Sequence, residues 1–350
     1  MSKYFSNKYQ SLVPYTPGEQ PKDQKYNKLN TNESPFTPSP KAIEYMNEAA
    51  KNLQLYSDPD CTRLVNTACE YFGIEKDEIL FTNGSDEILN FAFMAFCDKD
   101  HPAVFPDITY GFYPVFAEMN GIPYEEIPLE DDFSIDIEKY KGINKTIFIA
   151  NPNAPTGIAL SKGQIEEIVK SNDSVIVIDE AYVDFGAESV VELTKKYDNL
   201  LVTQTFSKSR SLAGARLGFG IGCKALIQDL NTIKYSTNPY NVNTVSMMAG
   251  VGALEDDKYM KENCKTVMAN RVYTVMELER LGFEVLPSSS NFVFAKSNKI
   301  GGKELYLNLK EKGILIRHFE KDRLFDYNRI TIGSLDQMKA LIKAIEEEVL

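Results

Sequence analysis

The chain has 350 residues, of which 43% are hydrophobic and 25% charged, a composition typical of a folded globular protein. Its 38 basic and 50 acidic residues give a net charge of −12, which disfavours a nucleic-acid partner because such a surface repels phosphate backbones. The N-terminus shows no apolar secretion signal and no apolar stretch approaches the roughly 20 residues of a bilayer span, so we expect a cytoplasmic protein with no membrane partner.

The first part of the chain predicts an irregular arm followed by helices. Five prolines fall within residues 1–38, and a helix is expected over 40–53. Apolar residues at helical spacing predict a second helix that runs from Ser85, as its N-cap, to Cys97.

The middle of the chain alternates short apolar runs with helix-like segments. The runs cover 103–105, 146–150, 174–178 and 200–203, and helix-like segments cover 162–170 and 189–196. Strands that alternate with helices imply crossover connections and a mostly parallel sheet. Because these strands are apolar on both faces, we expect helices to cover the sheet.

The last part of the chain predicts a second, smaller unit. A long amphipathic helix is expected over 255–281, strands over 283–287, 291–295, 313–318 and 329–332, and a closing helix over 335–349. We therefore predict an α/β protein with a large domain, residues 46–258, that contains the sheet. A small α+β domain is built from both termini, with residues 1–45 supplying an arm and part of it and residues 259–350 the rest.

Metal and hydrolase chemistry are disfavoured by the cysteine and histidine content. The five cysteines are widely spaced and form no Cys-x-x-Cys pair, which is typical of reduced thiols. The two histidines, His101 and His318, lie in no recognisable zinc or catalytic-triad motif. We expect no metal site.

Polar side chains follow the predicted strands at one edge of the sheet, where ligands of parallel sheets collect. Asp179 and Tyr182 follow one strand, Lys208 follows another, and residues 151–157 follow a third. A lysine beside an acid indicates either a structural ion pair or a Schiff-base lysine near the acid that protonates a pyridine nitrogen.

Two segments carry groups suited to phosphate. Ser207 and Arg216 flank the lysine with a hydroxyl and a guanidinium. Residues 82–86 combine a strand end, a glycine turn and a helix start, which leaves backbone N–H groups free for an anion. An ordinary capped helix has the same sequence pattern and is the alternative. The glycines of 218–222 have the wrong spacing for a dinucleotide-binding loop.

With these motifs in order, the chain resembles the fold-type I pyridoxal-phosphate aminotransferases over nearly its whole length. The matching segments are 29–35, 82–89, 151–157, 177–185, 207–218 and 329–333. Within the family, the resemblance is strongest to the branch that acts on histidinol phosphate. It implies a fold-type I transferase with pyridoxal 5′-phosphate as cofactor.

The resemblance also implies roles for individual residues. Lys208 matches the Schiff-base lysine that shuttles the proton, Asp179 the acid that keeps the pyridine nitrogen protonated, and Tyr182 a donor to the cofactor's 3′-oxygen. Tyr110 matches the ring that stacks on the cofactor. The implied phosphate ligands are Gly84, Ser85, Asp86, Thr205, Ser207 and Arg216.

The chain departs from the commonest pattern just before Pro-Thr-Gly, where many relatives have asparagine and this chain has Ala154. We therefore assign the second 3′-oxygen contact to Asn153. Tyr56 matches a tyrosine that reaches the phosphate from the neighbouring subunit, which implies a homodimer with shared active sites; an ordinary surface tyrosine is the alternative.

For the substrate, the resemblance points to Arg329 and Arg317, two guanidiniums that suit a doubly charged phosphate, with Asn291 and Asn32 as further candidates. The implied reaction converts L-histidinol phosphate and 2-oxoglutarate to imidazole acetol phosphate and L-glutamate, a step of histidine biosynthesis. Threonine-phosphate decarboxylase and aromatic amino acid aminotransferase, which share the scaffold, remain alternatives. A non-catalytic binding protein that kept the fold is a more distant one.

Overall fold

The computed structural model describes residues 2–349. Its helices are α1 (Pro40–Ala49), α2 (Thr62–Phe72), α3 (Ser85–Phe96), α4 (Phe112–Asn120), α5 (Lys162–Lys170), α6 (Lys224–Thr237), α7 (Thr244–Glu255), α8 (Asp257–Arg280), α9 (Gly302–Glu311) and α10 (Leu335–Val349). Its strands are β1 (Asn27–Lys28), β2 (Ile79–Thr82), β3 (Ala103–Pro106), β4 (Tyr124–Ile127), β5 (Thr146–Ala150), β6 (Ile176–Asp179), β7 (Leu200–Thr205), β8 (Gly218–Ile221), β9 (Phe283–Val285), β10 (Phe292–Ser297), β11 (Ile314–Leu315), β12 (Arg317–His318) and β13 (Tyr327–Thr331).

A seven-stranded sheet with the order β2-β8-β7-β6-β5-β3-β4 forms the centre of the molecule. The strands from β7 to β4 run parallel, whereas β8 runs antiparallel to both β7 and β2. Strands β3, β5 and β6 are buried along their whole length, which agrees with their apolar residues on both faces. The predicted mostly parallel sheet with flanking helices is confirmed.

Glycine in β8 allows helix α3 to approach the sheet closely. A Cβ on Gly218 would lie 2.6 Å from the Gly84 carbonyl carbon and 2.9 Å from the Ser85 Cα, both of which belong to the backbone. The start of α3 is thereby held against the end of β2 and the start of β8, so backbone packing fixes its position.

Both ends of the chain contribute to a second layer. β1 pairs in parallel with β11, and a four-stranded antiparallel sheet has the order β12-β13-β10-β9. Leu29 from the N-terminal part packs in one core with residues of β10, β13 and α10. This packing supports the predicted small domain, while the limits 1–45, 46–258 and 259–350 stay a prediction.

Several local expectations differ from the structure. Ser85 is the first residue of α3 and not its N-cap, because Gly84 occupies the cap with a φ of 89°. The helix expected over 255–281 is α8, separated from α7 by Asp256. The segment 189–196 forms only a short 3₁₀ turn, Val191–Lys195. Within residues 2–349, no helix combines the length and the apolarity that a membrane crossing requires.

Candidate active site

Two adjoining cavities open at the carboxyl ends of the parallel strands. The inner cavity, about 400 Å³, is lined by the last residues of β5, β6 and β7, and the outer cavity, about 550 Å³, shares Tyr182 and Lys208 with it. The predicted cofactor residues that line the inner cavity are Ser85, Asp86, Tyr110, Asp179, Tyr182, Thr205, Ser207, Lys208 and Arg216. The sheet and the start of α3 therefore bring together most of the side chains that the sequence singles out.

Asp179 is the buried acid of the inner cavity and ends β6, with 5% of its surface exposed. Its carboxylate accepts hydrogen bonds from the Ala181 amide at 3.1 Å and from the Tyr113 and Thr203 hydroxyls at 3.4 Å. No basic side chain within residues 2–349 forms an ion pair with it, and burial raises the pKa of Asp179 to about 7. A cationic group placed beside it would supply the missing counter-charge.

Lys208 supplies an amine to both cavities. Its Nζ donates to the Thr31 carbonyl at 3.4 Å and lies 5.6 Å from the centre of the Tyr182 ring. In the part of the chain that the structure describes, no carboxylate pairs with this amine. The next residue, Ser209, donates to Asp184 Oδ2 at 2.5 Å and so anchors the loop that carries the lysine. An amine without a carboxylate partner is available as a nucleophile once it loses its proton.

The N-terminus of α3 faces Arg216. A Cβ on Gly84 would lie 2.6 Å from Arg216 Nη2, and the positive φ of this residue also favours glycine. Arg216 Nη2 donates to Asp86 Oδ2 at 2.9 Å. Together with the unpaired N–H groups that a first helical turn presents, the guanidinium forms a site for an anion.

Hydroxyl groups complete this anion site. Thr205 Oγ1 donates to Ser207 Oγ at 3.0 Å and accepts from the Ser207 amide at 3.1 Å. The Tyr110 hydroxyl donates to the Oδ1 of Asp86 at 2.5 Å. Burial, with the carboxylate nearby, raises the pKa of Tyr110 well above its ordinary value, so the phenol stays protonated. Guanidinium, amide and hydroxyl donors in one place are the groups that bind phosphate.

The outer cavity contains the two predicted substrate arginines. Arg329 Nη2 donates to the Asn30 carbonyl at 3.0 Å, and its Nε is buried without a hydrogen-bond partner among the described residues. Arg317 donates to the carbonyls of Thr16 and Pro17 at 3.2 and 3.3 Å. Neither guanidinium pairs with a carboxylate in residues 2–349, so this cavity is short of negative charge, which an anionic ligand would supply.

Asn153 lies behind the wall of the inner cavity. Its Nδ2 donates to the Ile108 carbonyl at 3.0 Å and to Thr156 Oγ1 at 3.2 Å, and its Oδ1 accepts from Thr109 at 2.8 Å. The amide hydrogens expected to reach the 3′-oxygen are thus already paired within the protein. The neighbouring Ala154 lines the cavity and carries no polar group.

The remaining predicted residues lie at different distances from the cavities. Asn32 lines the outer cavity, and its Nδ2 donates to the Tyr182 hydroxyl at 2.9 Å. Asn291 is buried outside both linings and donates to the Asn32 carbonyl at 3.0 Å. Tyr56 is 85% exposed, stacks on Tyr240 with ring centres 4.8 Å apart, and contributes to neither cavity.

The sequence reasoning missed Tyr15, a residue of the N-terminal arm that lines the outer cavity and stacks on Phe112 at 4.2 Å. It also missed Glu33, which lines the inner cavity and pairs with Lys28 at 2.7 Å. An aromatic residue within a proline-rich arm was the sole signal for Tyr15, because nothing local specifies where the arm folds back.

Comparison with known proteins assigns this chain to a family. The family model for aminotransferase class I and II matches residues 24–345. The chain belongs to this family. It is thus an aminotransferase, an enzyme that acts on small molecules.

Full-length relatives have closely similar sequences. The aminotransferase is 50% identical over 349 residues to the histidinol-phosphate aminotransferase of Brachyspira hyodysenteriae, with 99% of each chain covered. It is 48% identical to that of Clostridium beijerinckii, covering 99% of this chain and 97% of the relative.

Solved structures share its architecture. Histidinol-phosphate aminotransferase from Sinorhizobium meliloti in complex with pyridoxal-5′-phosphate superposes with a TM-score of 0.91 at 23% identity, covering 100% of this chain and 98% of the other. The enzyme from Clostridium acetobutylicum gives a TM-score of 0.83 at 25% identity, covering 92% and 99%. The predicted fold-type I architecture is confirmed.

The cofactor of this family is pyridoxal 5′-phosphate, and the residues of the inner cavity fit it. Asp179 offers a buried negative charge to a protonated ring nitrogen, and Lys208 offers an amine to an aldehyde. Arg216 and the start of α3 offer donors to a phosphate. Each of these groups lacks a partner of opposite charge or is only partly paired within residues 2–349, as expected where a cofactor completes the site.

Proposed function

We propose that this aminotransferase transfers the amino group of L-histidinol phosphate to 2-oxoglutarate, which gives imidazole acetol phosphate and L-glutamate in histidine biosynthesis. The observation that carries the proposal is the pair of guanidiniums in the outer cavity, Arg317 and Arg329, which have no carboxylate partner within residues 2–349. The relatives at 50% and 48% identity carry the name of this activity, which supports the same substrate.

Bound pyridoxal phosphate would supply an aldehyde, which condenses with the amine of the substrate with loss of water, and a ring that takes up electrons from the carbon that bears this amine. Lys208 holds the cofactor through its Nζ and then moves the proton at the carbon of the substrate that bears the amine. Asp179 would keep the ring nitrogen protonated: burial raises the pKa of this carboxyl to about 7, and a cation beside it would lower that pKa and keep the carboxylate ionised.

Holding the cofactor requires its phosphate and its ring oxygen to be bound. We assign the phosphate to the backbone of Gly84, Ser85 and Asp86 and to the side chains of Thr205, Ser207 and Arg216. Tyr182 would donate to the 3′-oxygen, and Tyr110 would pack against the ring face. The cofactor phosphate and the Asp86 carboxylate would compete for the Arg216 guanidinium, so the hydrogen bond between Asp86 and Arg216 must break when the phosphate binds.

The substrate lies in the outer cavity. We assign its phosphate to Arg329 and Arg317, with Asn32 and Asn291 ordering the wall between the two cavities. Tyr15 lines the same cavity and stacks on Phe112, and we assign to it the shielding of the bound substrate from water. A dianionic phosphate matches two guanidiniums in charge.

We further propose a cytoplasmic homodimer. Tyr56 is exposed together with the neighbouring Leu53 and Leu55, and a cluster of exposed apolar side chains indicates an interface. From there, Tyr56 would reach the phosphate of the partner's cofactor. All five cysteines are free thiols, which is typical of a reducing compartment.

The test is the absorption spectrum of the cofactor-loaded protein before and after addition of L-histidinol phosphate alone. Loss of the band of lysine-bound cofactor, and its return on addition of 2-oxoglutarate, supports the proposal, and Lys208→Ala should never form that band. An unchanged band refutes the choice of substrate, and threonine phosphate and aromatic amino acids are then tested in the same way.

A further inference from the structure

A directed series of hydrogen bonds ends at the Tyr182 hydroxyl. The Asn32 backbone N–H donates to Thr331 Oγ1 at 2.9 Å, and the Thr331 hydroxyl donates to Asn32 Oδ1 at 3.1 Å. The Asn32 Nδ2 then donates to the Tyr182 oxygen at 2.9 Å. These contacts connect strand β13 of the small layer to the boundary of the two cavities.

The direction of this series follows from the donor and acceptor atoms of each bond. The Thr331 oxygen accepts from the Asn32 backbone N–H, which can only donate, and the Thr331 hydroxyl proton points to Asn32 Oδ1. The carbonyl end of the Asn32 amide therefore faces Thr331, and its NH₂ end faces Tyr182. Since NH₂ cannot accept, the Tyr182 oxygen must accept, and its proton is directed elsewhere.

The rest of Tyr182 has little freedom. Its ring packs edge-to-face against Phe292, with centres 5.1 Å apart and planes at 89°. Asn32 itself is 1% exposed and has a φ of 55°, a left-handed conformation that asparagine tolerates better than most residues. The rotation of the hydroxyl proton is thus the one degree of freedom that Asn32 controls.

The direction of the Tyr182 proton matters because the neighbouring wall residues of the inner cavity offer no free donor. Ala154 has no hydrogen-bonding side chain, and both amide hydrogens of Asn153 are taken by Ile108 and Thr156. Tyr182 lines the cavity, and its proton has no acceptor among residues 2–349. It is thus available to a ligand.

We propose that Asn32 is a positioning residue that turns the Tyr182 proton toward the cofactor's 3′-oxygen. The inference rests on the proposed function, which places that oxygen beside Tyr182. A donor at this oxygen stabilises its negative charge and so lowers the proton affinity of the nitrogen that joins Lys208 to the cofactor. Asn32 thereby sets the pH at which the lysine–cofactor linkage loses its proton, without touching the cofactor.

The test reverses the hydrogen bond. Asn32→Asp keeps the size of the side chain and tolerates the same backbone conformation, but its carboxylate accepts from Tyr182 and withdraws the proton from the cavity. We expect the apparent pKa of the lysine–cofactor linkage, read from its absorption band during a pH titration, to rise by about one to two units. The wild-type protein is titrated first, and a missing band there refutes the proposed function and not the role of Asn32.

A double-mutant cycle separates orientation from charge. The new carboxylate also raises that pKa through its negative charge, and this part persists when the phenol is removed. In the Tyr182→Phe background, Asn32→Asp should therefore shift the titration much less than in the wild type. Equal shifts in both backgrounds, or no shift in either, overturn the proposal.

A neutral variant guards against loss of folding. Asn32→Gly retains the left-handed backbone and removes the amide, so the Tyr182 proton rotates freely and the expected rise is smaller but in the same direction. Thermal unfolding and cofactor content of each variant are measured alongside. A titration of Asn32→Gly that matches the wild type overturns the proposal, since the amide would then have no influence on the linkage.

Discussion

The contact between Gly218 and the start of α3 predicts a linked loss of stability and of cofactor affinity. In Gly218→Ala, the new Cβ would lie 2.6 Å from the Gly84 carbonyl carbon and 2.9 Å from the Ser85 Cα. Backbone atoms cannot swing away as a side chain can, so the helix start must retreat by about 1 Å to reach ordinary contact distance.

The magnitude follows from the geometry. Overpacking of this kind costs about 1–3 kcal/mol of unfolding free energy. A retreat of about 1 Å lengthens a hydrogen bond of roughly 2.9 Å beyond its effective range, so the amides of Ser85 and Asp86 lose hold of the cofactor phosphate. One such charge-assisted bond is worth about 1.5–3 kcal/mol, which weakens cofactor binding roughly 10- to 100-fold.

Two assays and a matched control test this reasoning. Urea unfolding of the apoprotein gives the stability, and titration of the apoprotein with pyridoxal phosphate gives the affinity. Gly220→Ala lies on the same strand, but its Cβ meets the side chain of Ile88 at 3.0 Å, which can shift, so we expect a much smaller effect on the affinity. If Gly218→Ala binds the cofactor as tightly as Gly220→Ala, the proposed role of the α3 amides is refuted.

Three other perturbations have defined outcomes. Arg329→Lys keeps the charge but loses the planar fork, so the KM for the phosphorylated substrate should rise about 10- to 100-fold while the cofactor spectrum stays unchanged; an unaltered KM contradicts the assignment. The pKa of the Asp179 carboxyl is about 7 in the folded protein, whereas its usual value is 3.8. Between these pH values the folded apoprotein binds more protons than the unfolded chain, so its stability falls as the pH rises from about 4 to 7. Asp179→Asn should abolish this pH dependence, which amounts to at most about 4 kcal/mol of unfolding free energy. Urea unfolding of both proteins at pH 5 and 7.5 measures it, and an equal pH dependence in both contradicts the raised pKa of Asp179. Tyr56→Phe should weaken cofactor binding about tenfold although Tyr56 lines neither cavity of its own chain, with the exposed Tyr4→Phe as control, and unchanged binding argues against a shared site.

Local patterns in the sequence predicted the elements that depend on local physics. The helix Lys162–Lys170 was predicted with its bounds, and in the structure Ser161 and Gln164 cap its start reciprocally. The strand Thr146–Ala150 was also predicted with its bounds, because a short apolar run without interruption is typical of a buried parallel strand.

What the sequence did not predict depends on contacts between distant segments. Strand β8 was not predicted from the sequence, because two of its four residues are glycine. Glycine is needed at position 218 because α3, from elsewhere in the chain, approaches the strand there. Likewise, the motif around Asn153 gives no indication of which way the amide points, since Ile108 and Thr109 determine it. The resemblance supplied the residue types of the site, and the fold determines their orientation.

The pairing of β1 with β11 has a consequence for how the enzyme is made. Asn27 is synthesised long before its strand partner Ile314. Leu29 and the wall segment that contains Asn30 and Asn32 follow β1 directly, so they cannot take their final places until β11 has been synthesised. A nascent chain that stops before β11 lacks the strand partner of β1 and with it the ordered wall of the outer cavity, so we expect activity only in chains that extend through β11.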